Sequence, residues 1–292
     1  MTSAPSQTNS GLELFALTPS GPRALTVAAT TGTMHDAMDP LPDGVYSALR
    51  TFRGNRFLEL EAHLERTQQS MHVLAWKKTL DRKALRAALN AIVGRNTKDV
   101  RVRFDVLPEP FELQGVRADV FVGVSPHTEL PQAWLKDGVR VDYARNLSRT
   151  QPRVKTTKWV KDRRPFPIGT QEQLDQLLVD PEGRILEFTS ANIAFVRGDE
   201  LLSAGDGVLD GITQRVLARL ASQIGLKPRH VRLPENELAT VDEAILSSSV
   251  RGPVPVVKIE ALTIGSGRPG PKTKELVTAY YACADREARM SR

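Results

Sequence analysis

The chain has 292 residues, 40% of them apolar and 25% charged, with a formal charge of +6 and a single cysteine. Its apolar content suits one large globular domain or two ordinary ones, each with its own core. Its longest apolar runs, such as Ala118–Val124, are short and β-branched, far below the roughly 20 residues needed to cross a bilayer. A lone thiol, Cys283, excludes an internal disulfide and a cysteine metal site, and no metal centre is expected. Residues 1–10 carry no basic start and no apolar core of signal length, so they read as a disordered leader, with a cytoplasmic location as the default. The densest basic run holds Lys155, Lys158, Lys161, Arg163 and Arg164. It contains one aromatic, Trp159, and no nucleic-acid module surrounds it, so the charge points to phosphate and carboxylate ligands rather than to a nucleic acid.

In chain order, Val45–Phe52 and Arg56–Leu60 read as strands joined by a turn at 53–55. Leu64, Met71 and Leu74 or Ala75 then fall on one face of a helix. Thr79 and Asp81 are cap candidates for a second helix with the stripe Leu85, Ala88, Leu89, Ile92 and Val93, ended by Gly94 and Asn96. Strands at Val100–Val106 and Ala118–Val124 complete a small α+β domain, residues 1–125. Pro126 and Pro131 mark 126–136 as a linker.

The larger domain, 137–292, is rich in short strands: Val139–Tyr143, Leu177–Asp180, Arg184–Glu187, Asn192–Arg197, Leu201–Ser203, Lys227–Arg232, Ala244–Ser248 and Val254–Ile259. Two helices stand out, one placed by Ile212, Val216, Leu220 and Ile224 and one over Thr273–Met290. Many short strands with few helices suggest a barrel-like β domain.

Four features carry chemistry together. An amine at Lys155, a carboxylate at Glu187 beside a strand, a Gly-led helix start at Gly211-Ile212-Thr213 and a serine cluster ending in Ser248-Ser249 are what a pyridoxal phosphate site needs. The amine forms a Schiff base, the carboxylate pairs with the pyridine nitrogen and the last two hold the phosphate. A helix N-terminus presents unpaired N–H groups and a partial positive charge to an anion, and Thr213 adds a hydroxyl. The alternative reading makes Asp210 the N-cap and Gly211 a turn residue. Lys158, three residues on, is a rival to Lys155 if the segment is helical. Arg101 and Arg103 point to one face of a strand, where they either bind a substrate carboxylate or pair with Asp105.

The order of these motifs resembles the class IV, fold-type IV family of pyridoxal phosphate enzymes, which holds branched-chain and D-amino-acid aminotransferases and aminodeoxychorismate lyases. Asp43-Gly-Val-Tyr46 is similar to the family's Gly-Asp-Gly-Val-Tyr, and His63-Leu-Glu-Arg66 to its His-x-x-Arg-Leu. Val154-Lys155-Thr-Thr-Lys-Trp stands in the place of Ile-Lys-Ser-Leu-Asn. Glu187-Phe-Thr-Ser-Ala-Asn192 resembles Glu-Gly-Ser-Thr-Ser-Asn, Leu209-Asp-Gly-Ile-Thr213 resembles Leu-Pro-Gly-Ile-Thr, and Ser248-Ser249 stands where Gly-Thr or Ser-Thr is usual.

The resemblance implies an α+β, fold-type IV chain with a small N-terminal domain and a larger β-barrel-like one, working as a homodimer. It implies an aminotransferase that moves an amino group between an amino acid and a 2-oxo acid through Lys155. Arg66 is then the phosphate arginine, Asn192 lies at the cofactor, and Tyr46 lines the substrate pocket or is a core tyrosine. An aminodeoxychorismate lyase-like enzyme releasing pyruvate, or a non-catalytic cofactor-binding member, are the alternatives. The pattern departs at residues 1–42, which lack the family's opening strand. It departs also at Ser47, where an acidic residue is common, at Leu107-Pro-Glu-Pro-Phe, which lacks an arginine-rich carboxylate trap, and at 161–167, where charge and two prolines replace an apolar helix.

Overall fold

In the computed structural model, which describes residues 11–166 and 168–290, the chain falls into two units. The expected disordered leader and Pro167 lie outside the described residues. One unit comprises the described residues through Thr128, with Lys155–Lys158 and the chain end from Glu287. The other comprises Glu129–Val154 and Trp159–Arg286.

The first unit opens with a hairpin of β1 (Glu13–Thr18) and β2 (Gly21–Leu25) and a short helix, α1 (Met34–Met38). Then follow β3 (Val45–Phe52), β4 (Arg56–Phe57), α2 (Leu60–Val73), α3 (Arg82–Val93), β5 (Val100–Leu113) and β6 (Val116–Pro126). The sheet runs in the order Arg289–Met290, β4, β3, β5, β6, β1, β2, with every pairing antiparallel. The hairpin thus stands where no opening strand was expected; β2 is largely exposed and begins Gly21-Pro22, so it carries no alternating signal. The strand expected over Arg56–Leu60 is cut to two residues. Glu59 turns left-handed at φ 57° and Leu60 starts α2. Strand β5 outruns its expected end at Val106 because a register shift between Val106 and Phe111 absorbs Pro108 and Pro110. Gln114 and Gly115, both at positive φ, then close a two-residue hairpin turn between β5 and β6.

Helix α3 buries Leu85, Ala88, Leu89 and Val93, and Asp81 caps it by accepting from Ala84 N–H at 2.8 Å. Helix α1 lies against β6 at Gly123, where a Cβ would stand 3.1 Å from Met34 and 3.2 Å from Met38. Helix α2 differs from both: beside Leu64 and Met71 it buries His63, Arg66, Thr67 and Ser70. A polar inward face of this kind has to be satisfied by partners, which marks where chemistry is placed.

The second unit contains α4 (Gln132–Lys136), β7 (Val139–Tyr143), β8 (Gln176–Val179), β9 (Ile185–Phe188), β10 (Asn192–Arg197) and β11 (Glu200–Ser203). It continues with a helix, Ile212–Gln223, then β12 (Lys227–His230), β13 (Glu243–Ser248), β14 (Gly252–Ile259), β15 (Leu262–Thr263) and a last helix, Pro271–Glu287. These two helices are α6 and α7, because α5 (Thr157–Asp162) precedes them, opening two residues after Lys155. The mixed sheet runs β12, β11, β10, β13, β14, β7, β8, β9, with β15 on β14; β11/β12, β14/β7 and β7/β8 are parallel. Val139, Val141, Leu177, Phe188, Ile193, Phe195, Leu246 and Val254 build its core. Helix α7 stops at Glu287, short of the expected Met290, because Arg289–Met290 leaves it to pair with β4. Both sheets are curled half-barrels, and the fold is the expected α+β.

Within the first unit, residues 155–157 run beside the start of β3. Tyr46 N–H donates to the Lys155 carbonyl at 2.9 Å, and Thr157 N–H to the Gly44 carbonyl at 2.9 Å. The Gly44 N–H donates in turn to Thr157 Oγ1 at 2.8 Å. Thr157→Val keeps the shape and leaves that buried N–H without its acceptor, at an expected cost of about 1–3 kcal/mol. Urea unfolding measures it, and an unchanged midpoint would show that the bond contributes nothing.

Candidate active site

Lys155 sits in an extended stretch just ahead of α5, so it does not share a helix face with Lys158. Its N–H donates to Ser70 Oγ of α2 at 3.4 Å. Its Nζ stands 4.7 Å from the centroid of the Tyr46 ring, and the Arg103 guanidinium stands 4.8 Å from the same centroid. The Tyr46 ring thus lies beside both the Lys155 amine and the Arg103 guanidinium. Arg103 forms a fork with Asp105, Nε to Oδ1 at 2.7 Å and Nη2 to Oδ2 at 2.6 Å, with both side chains buried. Burial alone would lower the Arg103 pKa, but the Asp105 charge and its hydrogen bonds outweigh it and the pKa is raised. Of the two sequence readings of Arg103, the structure contains the ion pair with Asp105. A third member was not foreseen: His35 of α1 lies 2.8 Å from Arg103 Nη1 and 3.4 Å from Arg101 Nη2.

Arg66, buried on α2, donates from Nη2 to Ser47 Oγ at 3.4 Å, and a 2.7 Å hydrogen bond links Ser47 Oγ to His63 Nδ1. Ser47, a departure from the family pattern, is thus hydrogen-bonded to both His63 and Arg66 of His63-Leu-Glu-Arg66. An acidic residue there would instead meet a guanidinium directly.

In the second unit, Glu187 is the next-to-last residue of β9 and is buried, and its carboxylate is claimed from three sides. Arg149 Nη1 donates to Oε1 at 2.8 Å, Leu209 N–H donates to Oε1 at 3.2 Å, and Asn192 Nδ2 donates to Oε2 at 3.3 Å. Asn192 Nδ2 also donates to the Leu209 carbonyl at 2.9 Å. This carboxamide fixes the identity of residue 211: a Cβ on Gly211 would lie 1.8 Å from Asn192 Oδ1. Gly211, not Asp210, is the N-cap of α6, and no side chain caps the helix. Asp210 turns away to Arg215 at 3.4 Å. The open N-terminus is edged by hydroxyls, with Thr213 Oγ1 and Ser249 Oγ 3.2 Å apart. Ser248 Oγ accepts from Arg251 N–H at 3.2 Å and from Arg251 Nε at 3.3 Å, which leaves its own O–H to donate elsewhere. Gln214, third residue of α6, accepts from Ser247 Oγ at 3.1 Å while its Nε2 is buried with no partner among the described residues.

These features fit pyridoxal phosphate. The uncapped twelve-residue helix, Thr213, Ser248, Ser249 and the unsatisfied Gln214 amide are donors suited to a phosphate. Glu187 suits a protonated ring nitrogen, and Lys155 supplies an amine. Among the described residues no group of three or more His, Cys, Asp or Glu side chains is placed to hold a metal ion, and no helix is long and apolar enough to cross a membrane.

A half-barrel α+β chain with a lysine, a buried carboxylate and an open helix N-terminus is the architecture of a class IV pyridoxal phosphate enzyme. The family model for class IV amino-transferases matches residues 44–259, and the chain belongs to that family. It is a pyridoxal phosphate-dependent aminotransferase, moving an amino group between an amino acid and a 2-oxo acid. The chain is 24% identical over 281 residues to the branched-chain-amino-acid aminotransferase of Pseudomonas aeruginosa, covering 89% of this chain and 88% of that one. It is 25% identical over 260 residues to the aminodeoxychorismate lyase of Bacillus subtilis, covering 81% and 84%. The solved branched-chain amino acid aminotransferase of Thermobaculum terrenum, in its pyridoxal phosphate form, has the same fold, with a TM-score of 0.72 at 19% identity over 96% of this chain and 95% of that one.

The Asn192–Gly211 contact makes a sharp expectation. Gly211→Ala must displace the Asn192 carboxamide, costing about 1–3 kcal/mol by overpacking. It should also weaken cofactor binding, read by titration of the apoprotein. Because both residues act through one contact, adding Asn192→Ala should cost less than the sum of the two single changes; strict additivity would count against the coupling.

Proposed function

We propose that Lys155 is the lysine that carries the cofactor and moves the substrate proton, and that Arg66, Glu187, Asn192, Gly211, Ile212, Thr213, Ser248 and Ser249 hold the cofactor. The observation that best supports this is the seating of Lys155: its carbonyl accepts from Tyr46 N–H of β3, its N–H donates to Ser70 Oγ of α2, and its Nζ lies 4.7 Å from the Tyr46 ring centroid. Pyridoxal phosphate, when bound, supplies an electron sink for charge developing at the substrate Cα. The residues do the rest. Lys155 Nζ must be neutral to attack an aldehyde. With the cofactor bound, the same Nζ would be the base that takes the proton from the substrate Cα and the acid that returns it. Glu187 would pair with the ring nitrogen. Arg66 and the backbone N–H groups of Ile212 and Thr213 bind phosphate, with the hydroxyls of Thr213, Ser248 and Ser249. Tyr46 and Arg101 face the substrate, whose carboxylate is the group that arginines select; Arg103, taken up by Asp105 and His35, stiffens the wall behind Tyr46 instead.

The same reading makes the enzyme a cytoplasmic homodimer, which light scattering of the purified protein would check for its assembly. Transamination and lyase chemistry differ in what they consume: only transamination needs a 2-oxo acid acceptor. The test is the visible spectrum of the purified protein before and after borohydride, for wild type, Lys155→Ala and Lys158→Ala. A band that borohydride abolishes, absent only from Lys155→Ala, is the expected result, with amino acids added singly then converting the band to that of the pyridoxamine form. A band retained in Lys155→Ala sinks the assignment, and pyruvate release without an acceptor would replace transaminase with lyase.

A further inference from the structure

Arg149 belongs to none of the motifs, yet its guanidinium reaches three parts of the second unit. Its side chain is only 7% exposed. Nη1 donates to Glu187 Oε1 at 2.8 Å, Nη2 donates to the Val154 carbonyl at 2.8 Å, and Cζ stands 5.3 Å from the centroid of the Trp159 ring. Nε is buried with no partner among the described residues. Val154 directly precedes Lys155 and Trp159 directly follows Lys158, so one side chain holds both flanks of the lysine segment and the Glu187 carboxylate.

An arginine serving packing alone has no need of this arrangement, because burying a charge with one donor unsatisfied is costly. The cost is offset by the carboxylate it grips. Glu187 accepts from the Arg149 guanidinium of the segment after β7, the Asn192 carboxamide of β10 and the Leu209 N–H ahead of α6; of these three donors Arg149 carries the charge. An ionised carboxylate already paired with a cation attracts a second cation less than a bare one does. In a buried site, a proton on the ring nitrogen beside Glu187 therefore adds a charge that Arg149 opposes.

We infer that Arg149 is a positioning residue for the ring-nitrogen side of the cofactor: it fixes Glu187 and weakens the hold on the ring-nitrogen proton, and so limits how strongly the ring withdraws electrons. This rests on the assignment of Glu187 to the ring nitrogen made above. The consequence is that the ring nitrogen of this enzyme titrates within the pH range where the protein is folded.

The experiment is ring-nitrogen NMR of the holoenzyme, reconstituted with pyridoxal phosphate labelled with 15N and titrated with pH, for wild type, Arg149→Lys, Arg149→Gln and Glu187→Gln. In Arg149→Gln the ring nitrogen should keep its proton to a pH higher by about one unit or more. Arg149→Lys retains the charge and should titrate close to wild type. Both should bind the cofactor about tenfold or more weakly, since neither spans Glu187 and Val154 with charge-assisted bonds. If Arg149→Gln does not fold, Arg149→Met supplies the uncharged arm. Titration of the uncharged variant at the wild-type pH, with Glu187→Gln shifted downward, would make Arg149 purely structural and overturn the inference. So would a wild-type ring nitrogen that never loses its proton. A titration that Glu187→Gln leaves in place would instead overturn the assignment of Glu187.

Discussion

Main-chain hydrogen bonds hold the root of Lys155 before any side chain contributes. The Tyr46 N–H on the Lys155 carbonyl and the Thr157 N–H on the Gly44 carbonyl, both at 2.9 Å, lay the segment beside the first residues of β3. A lysine stem is long and flexible, so its amine is useful only when the backbone beneath it does not move. Gly44 is part of that hold. A Cβ there would come within 2.4 Å of the Val106 carbonyl oxygen, so any other residue would push β3 from β5 and carry the lysine segment with it. The Tyr46 ring beside Nζ then follows from the strand's alternation, which turns Tyr46 and Asp105 into cross-strand neighbours.

Charge at depth is the second constraint. Arg103 with Asp105, Arg149 with Glu187 and Arg251 with Asp175 are ion pairs whose side chains are largely buried. Breaking one leaves an uncompensated buried charge, which costs far more than an exposed pair such as Lys227 with Asp199 contributes. The two kinds of pair do different work. The exposed ones offset charge locally on a chain of +6, while the buried ones fix directions: Arg103 is aimed along Tyr46, Arg149 along Glu187, and Arg251 steadies Ser248 while its other end is held by Asp175 and Ser190.

Two kinds of signal were legible in the sequence. Helix α3 with its Asp81 cap shows the helical period, because one face is buried and the other is not, while β3, β10, β13 and β14, buried on both faces, read as short apolar runs bounded by turns. The hairpin at the chain's start had no such signal, since β2 is exposed and Pro22 interrupts it. Glu59 at positive φ was equally silent: nothing in Arg56–Leu60 announces that the extended run breaks after two residues. Motif order located the residues that could touch a ligand, including Arg66, Lys155, Glu187 and Gly211. It did not locate the residues that hold them. His35, Ser47 and Arg149 lie far along the chain from their partners, in a five-residue helix, a strand and a loop, and only the fold makes them neighbours.

The start of α6 shows why such a reading fails at a site. Local statistics favour Asp210 as the cap, because a carboxylate that accepts the first free N–H groups stabilises a helix. A capped helix, however, has spent the donors that an anion would use. In this chain Asp210 faces Arg215 at the surface, and the Asn192 carboxamide occupies the space next to residue 211, which only glycine tolerates. The helix begins with its N–H groups open and with Thr213 and Ser249 at its edge. Local stability is given up where binding needs it, and Asn192, whose amide is satisfied by the Leu209 carbonyl and Glu187, enforces the glycine without capping the helix. Departure from the capping rule is therefore itself a mark of function, recognisable only when the neighbours of residue 211 are seen in place.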